Sequence, residues 1–175
     1  MKTPICRFDT PNGVAAWYAI DDRVMGGVSA SRMAFDPKGH AVFSGSLSLT
    51  NNGGFASVRS PVVASDSVGG SAYLLTVRGD GKRYKFSILT GAKFDGISYQ
   101  AAFQPPAGEW TMIRLAAADF VPTWRGRVIG HLPPLDLSSA QQVGLVIADR
   151  QMGPFKLDLR AIELVRWRGG ECANC

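Results

Sequence analysis

The chain has 175 residues, of which 46% are hydrophobic and 19% charged, and its formal net charge is +5. This composition predicts a globular domain with a continuous core, because disorder requires lower hydrophobicity and stronger net charge. No apolar run reaches the roughly 18 to 20 residues of a membrane-spanning helix, and the basic residues are scattered among acidic ones. We therefore expect no transmembrane segment and no specific nucleic-acid partner.

Short strands and turns are predicted along almost the whole chain, because 20 glycines and 10 prolines supply frequent turns. The predicted strands are 29–35, 40–49, 72–78, 84–89, 97–103, 110–115, 143–148 and 155–165, with one helical turn at 138–142. Short strands at this spacing predict an all-β fold, a β-sandwich of the jelly-roll or galactose-binding-domain-like kind. We assign one domain to residues 1–168 and a flexible C-terminal tail to residues 169–175.

Two strands carry more detailed expectations. Phe43 and Gly45 interrupt the apolar alternation of the strand at 40–49, which indicates a β-bulge. Asp80 and Gly81 favour a tight turn, and this predicts a hairpin between the strands on either side of it.

The strand at 84–89 has a clear two-residue alternation. Tyr84, Phe86 and Ile88 fall on one face, while Lys85 and Ser87 fall on the other. We expect the aromatic and aliphatic face to pack inward.

Cysteine and histidine usage offers little chemistry. Only Cys6 lies outside the last four residues, so no disulfide framework is implied and a reducing compartment is favoured. The Cys172–Cys175 pair has the spacing of a redox pair or of half a zinc site, but a mobile tail is the simpler interpretation. His40 and His131 lie in turn contexts and are expected to be solvated.

Three segments mix glycines with polar and charged residues in an unusual way, at 17–29, 51–59 and 79–84. One hypothesis is that they converge and present oriented donors and acceptors to a polar ligand or peptide, through Asp22, Asn51, Asn52, Arg59 and Arg78. The alternative is structural: Arg59 pairs with Asp22, and the asparagines and glycines fix tight loops. The sequence does not separate these two interpretations.

A sugar-binding site would need exposed aromatic rings as stacking platforms, for which Trp17, Tyr84 and Trp124 are the candidates. A tryptophan in a β-domain is more often part of the core. Trp124 is the best exception, because the stretch at 121–127 is expected to be irregular and loops carry recognition.

The glycine-rich segments also carry a resemblance to a known family. The motifs are Asp22-x-Val24-Met25-Gly26-Gly27-x-Ser29, Asn51-Asn52-Gly53-Gly54-Phe55-Ala56-Ser57-Val58-Arg59 and Gly79-Asp80-Gly81-x-x-Tyr84, followed by Trp110 and Gly153-x-Phe155-x-Leu157. In this order and spacing they resemble the complex I intermediate-associated protein 30 family. The resemblance implies a galactose-binding-like sandwich, similar to some carbohydrate-binding modules, that acts as a chaperone-like assembly factor for respiratory NADH:ubiquinone oxidoreductase and not as an enzyme.

Two functions follow as hypotheses. The first is a non-catalytic scaffold or assembly factor that binds a protein partner, such as respiratory complex subunits. The alternative is a module for a small, carbohydrate-like ligand. We predict no catalytic residue, no cofactor and no metal site, since no nucleophile elbow, P-loop or zinc motif occurs. The N-terminus lacks a secretory or transit pattern, which predicts a cytoplasmic location.

Overall fold

The computed structural model describes residues 1–61, 63, 69–90 and 96–166. The strands in these residues are β1 (Lys2–Arg7), β2 (Tyr18–Ala19), β3 (Ala30–Asp36), β4 (His40–Leu47), β5 (Ala56–Arg59), β6 (Gly70–Arg78), β7 (Tyr84–Leu89), β8 (Ser98–Phe103), β9 (Trp110–Ala116), β10 (Val121–Trp124), β11 (Arg127–Val128), β12 (Gln142–Ile147) and β13 (Gly153–Arg166). Short 3₁₀ turns, such as Asp22–Met25 and Thr50–Asn52, lie between them.

These described strands form two sheets with antiparallel pairing. The six-stranded sheet has the order β3-β4-β13-β6-β9, with β1 paired to β13 outside this path. The seven-stranded sheet has the order β11-β10-β8-β7-β12-β5-β2. Neighbouring strands are often distant in the chain, as where β12 lies between β5 and β7, so the pairing is largely non-local.

Apolar side chains from both sheets fill the space between them. In β7, Tyr84, Phe86 and Ile88 are fully buried, which confirms the predicted inward face. Aromatic rings meet across the layers: the centroids of Phe43 and Tyr84 lie 6.3 Å apart, and those of Tyr73 and Phe86 lie 5.2 Å apart. The predicted all-β sandwich is confirmed.

The predicted hairpin at Asp80-Gly81 is wrong, because the chain changes sheet at this turn. β6 belongs to the six-stranded sheet and β7 to the seven-stranded sheet. The carboxylate of Asp80 accepts a hydrogen bond from the Tyr84 hydroxyl at 2.9 Å, and a Cβ on Gly79 would lie 2.4 Å from the Pro105 ring. Turn residues predicted the turn, but long-range packing decided which strands it joins.

The predicted bulge in β4 is also wrong. β4 pairs with β3 and β13 without a register shift. Phe43 and Leu47 face the core, and Gly45 lies between them where a Cβ would be 1.9 Å from the carbonyl oxygen of Ala30. The glycine thus permits close approach of two strands, and a register shift occurs instead in β13, between Leu159 and Ala161.

Part of the stretch predicted to be irregular is a strand. β10 (Val121–Trp124) pairs with β8 on one side and β11 on the other. Pro122 lacks an N–H for the ladder, but its carbonyl oxygen accepts a hydrogen bond from the Ile129 N–H at 2.9 Å. The proline and the shortness of the strand explain why alternation did not predict it.

The predicted C-terminal tail, with Cys172 and Cys175, lies outside the described residues. Across the residues that the structure describes, no helix is long and apolar enough to cross a membrane.

Candidate functional site

The outer face of the seven-stranded sheet carries a row of polar and small residues. Gly144 of β12 lies opposite Arg59 of β5 and Ser87 of β7, and Ser87 lies opposite Gln100 of β8. Their immediate neighbours along each strand face the core, so these residues share the face that points away from it. The row therefore crosses four adjacent strands.

A cleft of about 700 Å³ lies over this row. Gly144 and Ser87 form a shallow part of its floor, and a Cβ on Gly144 would lie 2.8 Å from the carbonyl oxygen of Val58. The polar and aromatic lining residues among those described include Asn52, Phe55, Arg59, Lys85, Gln100, Arg125, Asp149 and Arg150. Small residues in the floor and long cationic side chains around them give the cleft its depth.

Three tight turns at the rim hold residues in the left-handed backbone region. The φ angles are 55° and 57° for Asn51 and Asn52, 47° for Arg125, and 59° and 57° for Asp149 and Arg150. Asn and Asp tolerate this region, whereas arginine rarely adopts it. Such residues persist only where the surroundings determine them, and they cluster at functional sites.

Asp22 supports this rim from below. Its carboxylate is fully buried and accepts hydrogen bonds from the Ser29 N–H at 2.9 Å, the Ser29 hydroxyl at 2.6 Å and the Gly54 N–H at 2.7 Å. A Cβ on Gly27 or Gly53 would lie within 2.5 Å of the same carboxyl group. Asp22 therefore joins two glycine-bearing segments, its own at 17–29 and the loop that carries Asn51 and Asn52.

Asp21 makes a second, separate set of hydrogen bonds. It accepts from the Ser31 N–H at 2.9 Å, the Ser31 hydroxyl at 2.5 Å and the Ser57 N–H at 3.1 Å. Asp21 therefore binds residues within β3 and β5, whereas Asp22 binds residues just before these two strands.

Arg59 lines the cleft with Tyr18 beside it. Burial lowers the pKa of the Arg59 guanidinium, and the charge and hydrogen bond of the Tyr18 hydroxyl partly offset that shift. The Tyr18 hydroxyl also accepts a hydrogen bond from the Gln142 side chain at 3.0 Å. Arg59 is therefore held at one end of the row rather than left as a mobile surface side chain.

Residues 6–159 match the sequence model of the complex I intermediate-associated protein 30 family. The chain belongs to this family. The fission yeast Schizosaccharomyces pombe has a relative described as an uncharacterized protein, 28% identical over 167 residues, which cover 84% of this chain and 76% of the relative. A Caenorhabditis elegans relative, described as a probable complex I intermediate-associated protein 30, mitochondrial, is 27% identical over 173 residues. The alignment covers 87% of this chain and 51% of the nematode protein, so the chain spans about half of that relative.

Solved structures with a similar fold include carbohydrate-binding modules. The family 11 module of a Clostridium thermocellum cellulase matches with a TM-score of 0.69 at 15% identity, covering 95% of both chains. A variant of a family 29 module matches with a TM-score of 0.52 at 11% identity, covering 94% of this chain and 91% of that one. At these identities the matches show the sandwich fold alone.

The predicted cytoplasmic location is wrong by this comparison. The relatives from C. elegans and Caenorhabditis briggsae are both named as mitochondrial proteins. The prediction used only the residues at the start of this chain, which is an insufficient basis when the alignment covers 51% of those relatives.

Some residues of the family motifs line the cleft, and others hold the loops that form it. Asn52 and Arg59 line the cleft, and Asp22 fixes the loop that carries Asn51 and Asn52. The other candidates, Arg78, Tyr84 and Trp124, are not among the residues that line it.

Arg78 and Tyr84 have structural surroundings. Arg78 donates hydrogen bonds to the carboxylate of Asp158 from Nε at 2.8 Å and from a terminal nitrogen at 2.6 Å, and its guanidinium lies 4.9 Å from the Trp110 ring centroid. Tyr84 is fully buried in the core, and burial together with the Asp80 carboxylate raises the pKa of its hydroxyl well above the usual range.

Trp124 is the exposed aromatic that the sequence pointed to. Its side chain is 44% exposed on β10, while Trp17 is buried and its ring lies 5.7 Å from that of Phe8. The guanidinium of Arg125 lies 4.9 Å from the Trp124 ring centroid. Trp124 therefore lies on the surface beside the cleft, next to the lining residue Arg125.

The expectation that His40 is solvated is wrong. Its side chain is 3% exposed, with Nε2 at 3.7 Å from Asp36 and 3.8 Å from Asp158. The ring also meets Trp110 edge-on at 5.5 Å. The first residue of β4 is covered by β13 and β9, which its turn context did not reveal. His131, by contrast, is exposed.

Sequence reasoning missed most of the cleft. Lys85 and Ser87 were assigned to the outward face of their strand, but nothing marked that face as a site. Gln100 and Gly144 carry no motif, and they reach the cleft only through strand pairing. Within the described ranges, no group of three or more His, Cys, Asp or Glu residues could hold a metal ion.

Proposed function

We propose that this chain is a non-catalytic binding domain that takes part in assembling respiratory complex I, and that it holds a protein partner in the cleft of the seven-stranded sheet. The observation that carries the proposal is the combination of family membership with a cleft to whose lining the family motif at 51–59 contributes. Asp22 and Gly53 shape the loop, and Asn52 and Arg59 line the cleft beside it.

The chemistry of the cleft supports binding rather than turnover. Its described lining combines apolar residues and glycines with guanidinium, ammonium, amide and hydroxyl groups, which can hold and orient a ligand. The carboxylate in the described lining, Asp149, is paired with Lys85 and Arg83. Asp21 and Asp22 are committed to backbone N–H groups and serine hydroxyls. The names of the nematode relatives support a mitochondrial setting for the partner.

A small carbohydrate ligand is the second candidate, favoured by the fold shared with carbohydrate-binding modules. Sugar recognition uses aromatic platforms, and the aromatic residue among the described lining is Phe55. The exposed rings of Tyr18 and Trp124 lie close by, with 43% and 44% of their surface accessible. Under this alternative those two rings would form the ends of a sugar site.

Affinity purification with crosslinking tests the main proposal. The tagged chain is isolated from extracts of the organism that makes it, beside Arg59→Gln and Trp124→Ala variants whose folding is verified by circular dichroism. We expect complex I subunits with the wild type, fewer with Arg59→Gln, and no change with Arg114→Gln on β9 of the opposite sheet.

Retention of no complex I subunit in repeated experiments would contradict the proposal. Binding to a glycan array that is lost in Trp124→Ala but kept in Arg114→Gln would favour the carbohydrate candidate instead.

A further inference from the structure

The described residues that line the cleft carry an excess of positive charge. Its described lining contains the four cations Arg59, Lys85, Arg125 and Arg150 and the single carboxylate Asp149. That carboxylate is already shared, since it lies 3.0 Å from the Lys85 ammonium and 3.2 Å from the guanidinium of the neighbouring Arg83. A ligand with several negative groups would complement this surface.

The spacing of the strands sets the length of that ligand. Arg59 lies on β5 and Gln100 on β8, three strand spacings away, and Arg125 follows β10, one strand further. At about 4.8 Å per spacing, the two ends of the row are roughly 14 to 19 Å apart. An extended peptide of about four to six residues covers that distance at ~3.3 Å per residue.

The floor suits a peptide backbone. Ser87 and Gln100 offer a hydroxyl and an amide, which can donate to peptide carbonyl groups or accept from peptide N–H groups. Gly144 has no side chain to keep a second backbone away. A bare phosphate would engage one cluster of cations, whereas Arg59, Lys85 and Arg125 lie on β5, on β7 and directly after β10, so the cations are spread across the sheet.

The rim cations are also held in place. Arg125 and Arg150 keep positive φ angles of 47° and 57° in tight turns, where glycine or asparagine would be less strained. A conformation that is unfavourable for the residue is retained where its side chain has a use.

We propose that the cleft recognises an extended acidic segment of the partner protein, four to six residues long with carboxylates towards both ends. This inference builds on the proposed function and specifies the chemistry of the partner. Arg59 takes a carboxylate at one end of the row, Arg125 and Arg150 take carboxylates at the rim, and Asp149 competes with the ligand for Lys85.

NMR chemical-shift mapping of the backbone amides tests this proposal with defined peptides. The isotope-labelled full chain is titrated with a hexaglutamate peptide and, as a control of equal length, a hexaglutamine peptide, at low and moderate salt. We expect hexaglutamate alone to shift the amides of Arg59, Ser87, Gln100 and Gly144, with affinity that falls as salt rises.

Matched variants make the charge argument specific. Arg59→Gln, Arg125→Asn and Arg150→Asn should each weaken hexaglutamate binding about two- to five-fold, in line with exposed charge pairs. Asp149→Asn should tighten binding, because it removes the competing carboxylate and asparagine tolerates the same backbone region. Two control variants lie outside the cleft lining: Arg32→Gln removes one positive charge, as the arginine variants do, and Asp9→Asn removes one negative charge, as Asp149→Asn does. Both should have little effect on hexaglutamate binding.

Equal shifts with hexaglutamine, or equal losses in the control variants, would overturn the proposal. So would cleft shifts produced only by vesicles containing phosphatidylserine, which would indicate a membrane surface instead. If complex I subunits are still retained in the purification while hexaglutamate does not bind the cleft, the acidic-segment inference fails and the assembly role stands.

Discussion

Removing the Asp22 carboxylate should destabilise the protein strongly, because this fully buried group accepts three hydrogen bonds. In Asp22→Ala, the N–H groups of Ser29 and Gly54 lose their acceptor, whereas the Ser29 hydroxyl can turn to the Ser48 carbonyl oxygen 3.2 Å away. A stranded buried donor costs about 1–3 kcal/mol, so two of them give about 2–6 kcal/mol. That is a large fraction of the ~5–15 kcal/mol that holds a typical domain folded.

The isosteric variant refines this expectation. In Asp22→Asn the amide oxygen can still accept from Gly54 and the Ser29 hydroxyl, but the new amide nitrogen then faces the Ser29 N–H. One donor is stranded instead of two, so the expected loss is about 1–3 kcal/mol.

Urea unfolding followed by tryptophan fluorescence and far-UV circular dichroism measures both variants. Asp136→Ala is the matched control, because Asp136 also accepts from a backbone N–H and a hydroxyl, both of Ser138, but in an exposed turn where water replaces it. If Asp22→Ala lost less than about 1 kcal/mol, or no more than Asp136→Ala, the argument from buried hydrogen bonds would be refuted.

Three further predictions concern other parts of the molecule. Burial raises the pKa of the Cys6 thiol to about 12 and that of the Tyr73 hydroxyl to about 12. As pH rises, the unfolded chain loses these protons before the folded chain does, so the urea midpoint of unfolding should fall above about pH 9. The fall should be shallower in Cys6→Ala. A midpoint that stays constant between pH 8 and 11 would contradict this. Arg78→Met should lower the free energy of unfolding by about 1–3 kcal/mol in thermal unfolding, because the Asp158 side chain is 4% exposed and loses its closest cation. Adding Asp158→Asn to this variant should recover part of that free energy. Arg150→Gly should raise stability by about 0.5–1 kcal/mol by relieving the backbone at φ 57°, and a clear decrease would show that the turn is unstrained.

Alternation in single strands was enough to predict the fold class and the inward faces. Tyr84, Phe86 and Ile88 are buried as expected, because the period of two is a local property of the chain. The motifs that contain Asp22 and residues 51–59 could be recognised for a similar reason: each is a continuous stretch of sequence, and its glycines indicate tight turns. The alternation of apolar residues gave a wrong prediction at β4, where Gly45 permits a close contact between strands and does not form a bulge. It also missed the short strand β10, which contains Pro122.

The amino-acid sequence alone determined that this chain is an all-β sandwich of one family and that its glycine-rich loops are specialised. Only the tertiary structure decided that the turn at Asp80 changes sheets, that His40 is buried, and that Arg59, Gly144, Ser87 and Gln100 form one row. The reason is that strand pairing joins residues far apart in the chain, and small neutral residues such as Gly144 and Ser87 gain their importance from what lies beside them.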